Sequence, residues 1–157
     1  MRRDDVQAVL NGPVARELLQ PGAVARLAYN GLDGSPRAIP TGVHFNGEHL
    51  VMCTATNAAK VPALRANPKV ALTVDTTGSP PRALLLRGSV DLEVVDGVPE
   101  EFLVAATPEF EASVRATYDQ MVRIRVHVEW AKAIDFETNL PSAVEEILRR
   151  KQVEGFS

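Results

Sequence analysis

Between Thr54 and Pro68 the chain sets two hydroxyls (Thr54, Thr56), an ammonium (Lys60) and a guanidinium (Arg65) around one corner. The stretch reads as a strand end, a polar turn, a short helix and the start of another strand. A cation beside the first amides of a helix favours an anion, and a phosphate suits such a corner. A solvated loop lysine beside an ordinary helix cap accounts for the same residues, so spacing alone leaves both readings open.

The remaining chemistry-bearing residues form weaker patterns. His44 and His49 oppose each other if the turn between them is tight, but two imidazoles without a third ligand fall short of a metal set. A plain cross-strand contact explains that pair. Cys53 has no His or Asp at a suggestive spacing and reads as an inert, buried thiol. Asp91 and Glu93 share a strand face that solvent explains. GxSxG, HExxH and P-loop glycine patterns do not occur in the chain. No catalytic residue can be assigned.

Positioning such a corner takes a sheet. Residues 122–130 alternate strictly, with Val122, Ile124, Val126, Val128 and Trp130 apolar and Arg123, Arg125, His127 and Glu129 polar. Residues 86–94 do the same, with Gly88 in mid-strand marking a bulge or sharp curvature. Val70, Leu72 and Val74 mark a shorter strand. The Asp33-Gly34 pair separates strands over 24–29 and 37–45, and Asn46-Gly47 separates 37–45 from 48–55. A two-residue turn at Asn46-Gly47 would pair Phe45 with Glu48, Val43 with Leu50, Thr41 with Met52 and Ile39 with Thr54. Helices are expected over 13–20, ending at Gly22, and over 62–67, with Pro62 as first helical residue. Two more are expected over 100–106 and 108–120. A capping box at Ser142 to Glu145 opens a last helix over about 141–151. Six mostly hairpin-linked strands with helical decoration make a mainly β, antiparallel barrel.

Composition narrows the class. At 157 residues the chain fits one domain, 1–157, and can bury a real core. A net charge of -3 without a basic block argues against a nucleic-acid partner. No apolar run approaches the roughly 20 residues of a membrane helix, so no membrane partner is expected. The single cysteine fits a reducing, cytoplasmic setting.

In this order, several segments resemble one family. They are Arg26-Leu27-Ala28, then Asp33 to Pro40, then Leu50 to Thr54, then Lys60 followed by Leu64 to Leu72, then Leu86 to Val90 and the terminal strand to Phe136. Together they resemble the pyridoxamine 5′-phosphate oxidase-like, FMN-binding split-barrel superfamily, and within it the short branch using FMN or a deazaflavin coenzyme, over a core of about 13–136. The resemblance implies a six-stranded split barrel, assembled as a homodimer with flavin sites at the interface. It implies that Ala38, Ile39, Pro40, Thr41, Gly42 and Val43 lie along the flavin ring. Met52, Cys53, Thr54, Thr56 and Lys60 would hold the ribityl phosphate, with Arg65 a further candidate. Arg87 and Trp130 could cover the ring from the partner chain, though Trp130 suits the core equally. Ala58 and Ala59 stand where many relatives carry a second basic or hydroxyl residue, which implies a weaker phosphate grip. The longer Arg/Lys set of true pyridoxamine phosphate oxidases is not evident.

The expected function is an FMN- or deazaflavin-dependent oxidoreductase moving a hydride to or from a small organic substrate. A cofactor carrying the chemistry accounts for the missing catalytic dyad. The alternative is a non-catalytic flavin- or haem-binding carrier or sensor on the same barrel, with His44 or His49 as a haem ligand.

Overall fold

The computed structural model describes residues 1–138 and 150. The last helix, expected over about 141–151, lies outside the described residues, Arg150 apart. Two helices open the chain, α1 (Arg3–Leu10) and α2 (Pro13–Leu18). Next come β1 (Val24–Asn30), β2 (Pro36–Gly42), β3 (His44–Phe45) and β4 (Leu50–Ala55). The chain continues through α3 (Lys60–Ala66), β5 (Lys69–Asp75) and the long β6 (Arg82–Asp96). It then runs through α4 (Glu100–Leu103), α5 (Pro108–Thr117) and β7 (Gln120–Asp135). All seven strands join one antiparallel sheet in the order β2-β1-β5-β6-β7-β4-β3.

Seven strands replace the expected six because the strand expected over 37–45 divides. Its first part, β2, pairs with β1 and forms one end of the sheet. Its last two residues, β3, pair with β4 at the other end. Val43 links them, and its amide donates to the Ala23 carbonyl at 3.0 Å. A stretch that is continuous in sequence yet sits at both ends of the sheet means that the sheet curls round on itself. β2 approaches β4 with no ladder between them, and that gap splits the barrel. Pro36 and Pro40 lack a ladder donor, which fits β2 as an edge strand.

The turn at Asn46 also differs from expectation. Phe45 pairs with Leu50, so the loop has four residues (46–49), not two. The Asn46 side-chain oxygen accepts from the amides of Glu48 (3.0 Å) and His49 (2.8 Å), and Gly47 takes φ +99°. That Asx arrangement satisfies a wider loop than a type I′ turn. His44 consequently lies opposite Val51 and not His49. His49 turns instead to His127, ring edge to ring face at 5.0 Å. The Asp33-Gly34 turn follows expectation, closed by the Asn30–Pro36 pair with Gly34 at φ +78°.

The bulge expected at Gly88 is present. Gly88 pairs with Val128 but Arg87 pairs with Trp130, which leaves Glu129 as the extra residue on β7. The extra residue reverses the side-chain parity beyond it. Ala131, not Trp130, therefore enters the core, and Trp130 shares the outer face with Arg87. The barrel interior is filled by Leu27, Leu50, Met52, Leu72, Leu84, Leu86 and Ile124. Val6, Leu10, Val14, Ala15 and Leu18 of α1 and α2, and Val61 and Leu64 of α3, join the same core. α1 escaped the sequence reading, although Val6 and Leu10 share one helix face. Pro62 sits third in α3 and not first, tolerated because its missing N–H falls in the unpaired first turn. The helices expected over 100–106 and 108–120 are shorter, ending at Leu103 and Thr117.

A Cβ at Gly88 would stand 2.0 Å from the His127 carbonyl oxygen, and nothing lies within 4 Å of one at Gly42. Gly88→Ala is expected to cost about 3 kcal/mol or more, and Gly42→Ala about 0.5 kcal/mol or less, in urea denaturation of cofactor-free protein. Equal losses would mean that β6 and β7 part easily at the bulge.

Candidate functional site

The split in the barrel leaves two strand edges without ladder partners. One is the outer edge of β2. The other is β4 beyond Val51, because β3 reaches only Leu50 and Val51. Ala38, Pro40 and Gly42 on β2 are exposed, whereas Ile39 is half-buried against the core and Thr41 and Val43 are buried. On β4, Met52 points into the core, Thr54 shares its parity, and Cys53 lies on the outer face. The residues expected along a flavin ring and near its phosphate thus come from two strands that approach each other across the split.

Lys60 opens α3 just beyond β4. It is half-buried, and burial alone pulls its ammonium below the ordinary value. It makes no hydrogen bond or ion pair among the described residues. A lysine that loses hydration and gains no partner is costly unless an anion joins it. The donor set therefore fits a phosphate. α3 carries no side-chain cap at Ala59, so no neighbour competes for that anion.

The other expected phosphate ligands are less concentrated. Thr54 is half-buried. Thr56 lines a separate groove with Thr117 and Asp119, whose carboxylate opposes a second anion there. Arg65 is exposed in the last turn of α3, five residues on from Lys60 and so on a different helix face. Arg87 stacks over the Trp130 ring at 4.1 Å on the outer sheet face. The cleft beside that stack is lined by Ala28, Tyr29, Lys69, Ala71 and Glu129, with no residue of β4 or α3. Within one chain, Arg87 and Trp130 do not join the Lys60 corner.

The resemblance also implies that the excursion over residues 100–120 could shape a substrate pocket. A pocket does lie under it at the other end of the split, although the sequence reading singled out none of its excursion residues. The chain between β6 and β7 folds over the outer face of β4, and its Phe102 and Leu103 pack with Cys53, Val114 and Met121. A cavity of about 180 Å³ remains beneath it, lined by Gly42, Val43, Val51, Cys53, Glu101 and Phe102 among others. Glu101 is held below the ordinary carboxylate value. Burial pushes it up, but an amide hydrogen bond and the Arg123 guanidinium outweigh that. Arg123 Nη2 donates to Glu101 Oε2 at 3.2 Å, and Nη1 donates to Glu93 at 3.3 Å. Arg123 Nε is buried 3.1 Å from Glu101 Oε1 without hydrogen-bond geometry. Polar residues at 93, 101 and 123 carry no spacing signal, because only the folded excursion brings them together.

Fold and split together define a flavin-type split barrel, and the comparisons agree. The chain belongs to the pyridoxamine 5′-phosphate oxidase family of the FMN-binding split-barrel superfamily, whose family model matches residues 12–134. Among solved structures it is similar to an F420 reductase with 25% identity and a TM-score of 0.57, over 74% of this chain and 94% of that one. It is similar in fold to a protein related to general stress protein 26 from Clostridium acetobutylicum (19% identity, TM-score 0.61, 77% and 85% of the two chains). A heme binding protein from Mycobacterium smegmatis shares the fold at 17% identity and TM-score 0.52, over 79% of this chain and 57% of that one. No curated protein matches the chain. No described helix is long and apolar enough to cross a membrane.

Burial, and then the Glu101 carboxylate, push the Cys53 thiol up to about 12 from an ordinary 9.0, with Arg123 opposing. At pH 8 its thiolate fraction is then roughly 1,000-fold below that of a free thiol. Folded protein is expected to react with a disulfide reagent about that much more slowly than protein in guanidinium. Comparable rates in the two states would contradict the placement of Cys53 against Glu101.

Proposed function

We propose that this chain is an FMN-dependent oxidoreductase acting on a small organic molecule, with a deazaflavin coenzyme as the alternative cofactor. One observation carries the reading: Lys60, half-buried and without a partner among the described residues, stands beyond the free edge of β4 in a fold of the flavin-binding superfamily. Bound flavin would supply the hydride chemistry, and the protein would bind, orient and exclude water. Lys60 would hold the phosphate, with the Thr54 hydroxyl as a second donor. The exposed backbone of Ala38, Pro40 and Gly42 would border the ring. The half-open split favours a homodimer in which a second chain closes over each ring, and Arg87 and Trp130 are the outer-face residues suited to that contact. A cytoplasmic setting is part of the same proposal.

The carrier reading has less support. A haem would need His44 or His49, but the His49 ring is engaged by His127 at 5.0 Å and His44 lies on the two-residue β3.

Titration with FMN and with riboflavin separates the roles. Lys60→Ala is expected to weaken FMN at least tenfold, about 1.4 kcal/mol, and to leave riboflavin unchanged because it has no phosphate. Lys60→Arg should keep most of the FMN affinity. An equal loss for both ligands would move Lys60 away from the phosphate. A Soret band with added haem and no flavin spectrum with added FMN would favour the carrier.

A further inference from the structure

The cavity under α4 and α5 adjoins the end of β2 that is proposed to border the flavin ring, since Gly42, the last residue of β2, lines it. Its walls are otherwise apolar (Ala23, Val51, Val104, Phe102, Phe110), apart from one ionic side chain, Glu101. The two phenylalanines lie 6.2 Å apart with their rings tilted by 35°, which gives flat, greasy surfaces on the excursion side. Phe110 is half exposed although it is large and apolar.

Glu101 belongs to a charged cluster behind that wall. Arg123 is shared between Glu101 and Glu93, so the three side chains carry one net negative charge. Arg123 Nε faces Glu101 Oε1 without a hydrogen bond, so the guanidinium leaves acceptor capacity on that carboxylate. Cys53 on the floor is a protonated thiol and adds no charge. An aromatic-walled cavity with one carboxylate, in a cluster that keeps a net negative charge, favours a cation, through the carboxylate and through the ring faces.

We infer that this pocket seats a small, flat organic cation, of the amidinium or aryl-ammonium kind, with its charged end at Glu101 and its ring against Phe102 and Phe110. As the seat of the substrate, the pocket deepens the flavin reading and rests on it. As a binding site, it stands on the cavity and the Glu101–Arg123–Glu93 cluster alone.

Three probes of nearly equal shape test the charge: benzamidinium, neutral benzamide and anionic benzoate. Each is titrated by NMR into the full chain, once without cofactor and once saturated with FMN. Benzamidinium is expected to bind at least tenfold more tightly than benzamide, with benzoate weakest, and to shift the ring signals of Phe102 and Phe110. Glu101→Gln should bring benzamidinium and benzamide to within about twofold of each other. Val104→Trp, which fills the cavity from a partly exposed position, should abolish all three. Thermal melts confirm that both variants are folded. If Glu101→Gln does not fold, the wild-type probe order and the Val104→Trp result decide. Equal affinity for benzamidinium and benzamide in the wild type overturns the inference, as does a preference that survives Glu101→Gln or shifts confined to other residues. A benzamidinium preference in a chain that binds neither FMN nor a deazaflavin would sink the flavin reading and leave the cation pocket standing. FMN binding without a preference would do the reverse.

Discussion

The long antiparallel ladder between β6 and β7 is the constraint on which the rest depends. It runs from the Arg82–Asp135 pair to the Asp96–Gln120 pair and is interrupted only at the Gly88 bulge. β5 and β1 are attached to its β6 side, and β4 and β3 to its β7 side. A sheet built on so long a hairpin must coil, and a bulge in the middle adds the twist that brings the two flanks towards each other. Gly88 makes this bulge available, because the His127 carbonyl occupies the space that any Cβ there would need. At one end of the ladder, Arg82 bonds Asp135 and Glu17 and so ties α2 to the hairpin. At the other end, the Gly97 amide meets the Asp119 carbonyl at 2.7 Å and closes the neck of the α4–α5 excursion.

The split follows from that coiling. β2 and β3 are one stretch of chain shared between the two ends of the sheet, and two residues of pairing on β3 cannot seal the barrel along its length. Unpaired edges are ordinarily an aggregation hazard, and proline is one of the usual ways to blunt them. Pro36 and Pro40 stand on this edge. A flat, polar-edged ligand or a second chain would satisfy the remaining backbone groups, which is the physical case for placing a cofactor there.

Much of this was readable in the residues, and the failures have definite causes. The strands of β1, β5, β6 and β7 were legible because each buries one face, so apolar and polar residues alternate. Alternation groups Trp130 with Val122 to Val128, and its two readings, core or outer cover, stayed open because one unpaired residue, Glu129, shifts parity and leaves no mark in the hydrophobic pattern. The division at Val43 was hidden for a related reason: apolar alternation continues through a strand that changes partners. Asn46-Gly47 suits a two-residue turn, and only the folded loop shows the Asn46 side chain accepting two amides instead. At the site, Lys60 was legible as a cation near a helix start. Its partial burial, with no partner among the described residues, depends on the packing of α3 and could not be read. Glu101 and Arg123 are 22 residues apart and meet only because the excursion folds back.

The two halves of the candidate site have opposite electrostatic character, and β4 connects them. At its C-terminal end the chain turns into Lys60, a cation with no counter-charge among the described residues; on its outer face Val51 and Cys53 floor a pocket whose one lining charge is Glu101. Val51 and Thr54 are three residues apart, a strand rise of about 10 Å. Across that span the protein offers attraction for an anion at one end and for a cation at the other, with unpaired strand edges between. A single ligand with a phosphate tail would be oriented by this gradient, its tail drawn to Lys60 and repelled from Glu101. A cationic second ligand would be drawn to the opposite end and kept from the phosphate site by Lys60. Sorting two ligands into adjacent places requires no catalytic side chain, only two half-buried charges of opposite sign held apart by one strand.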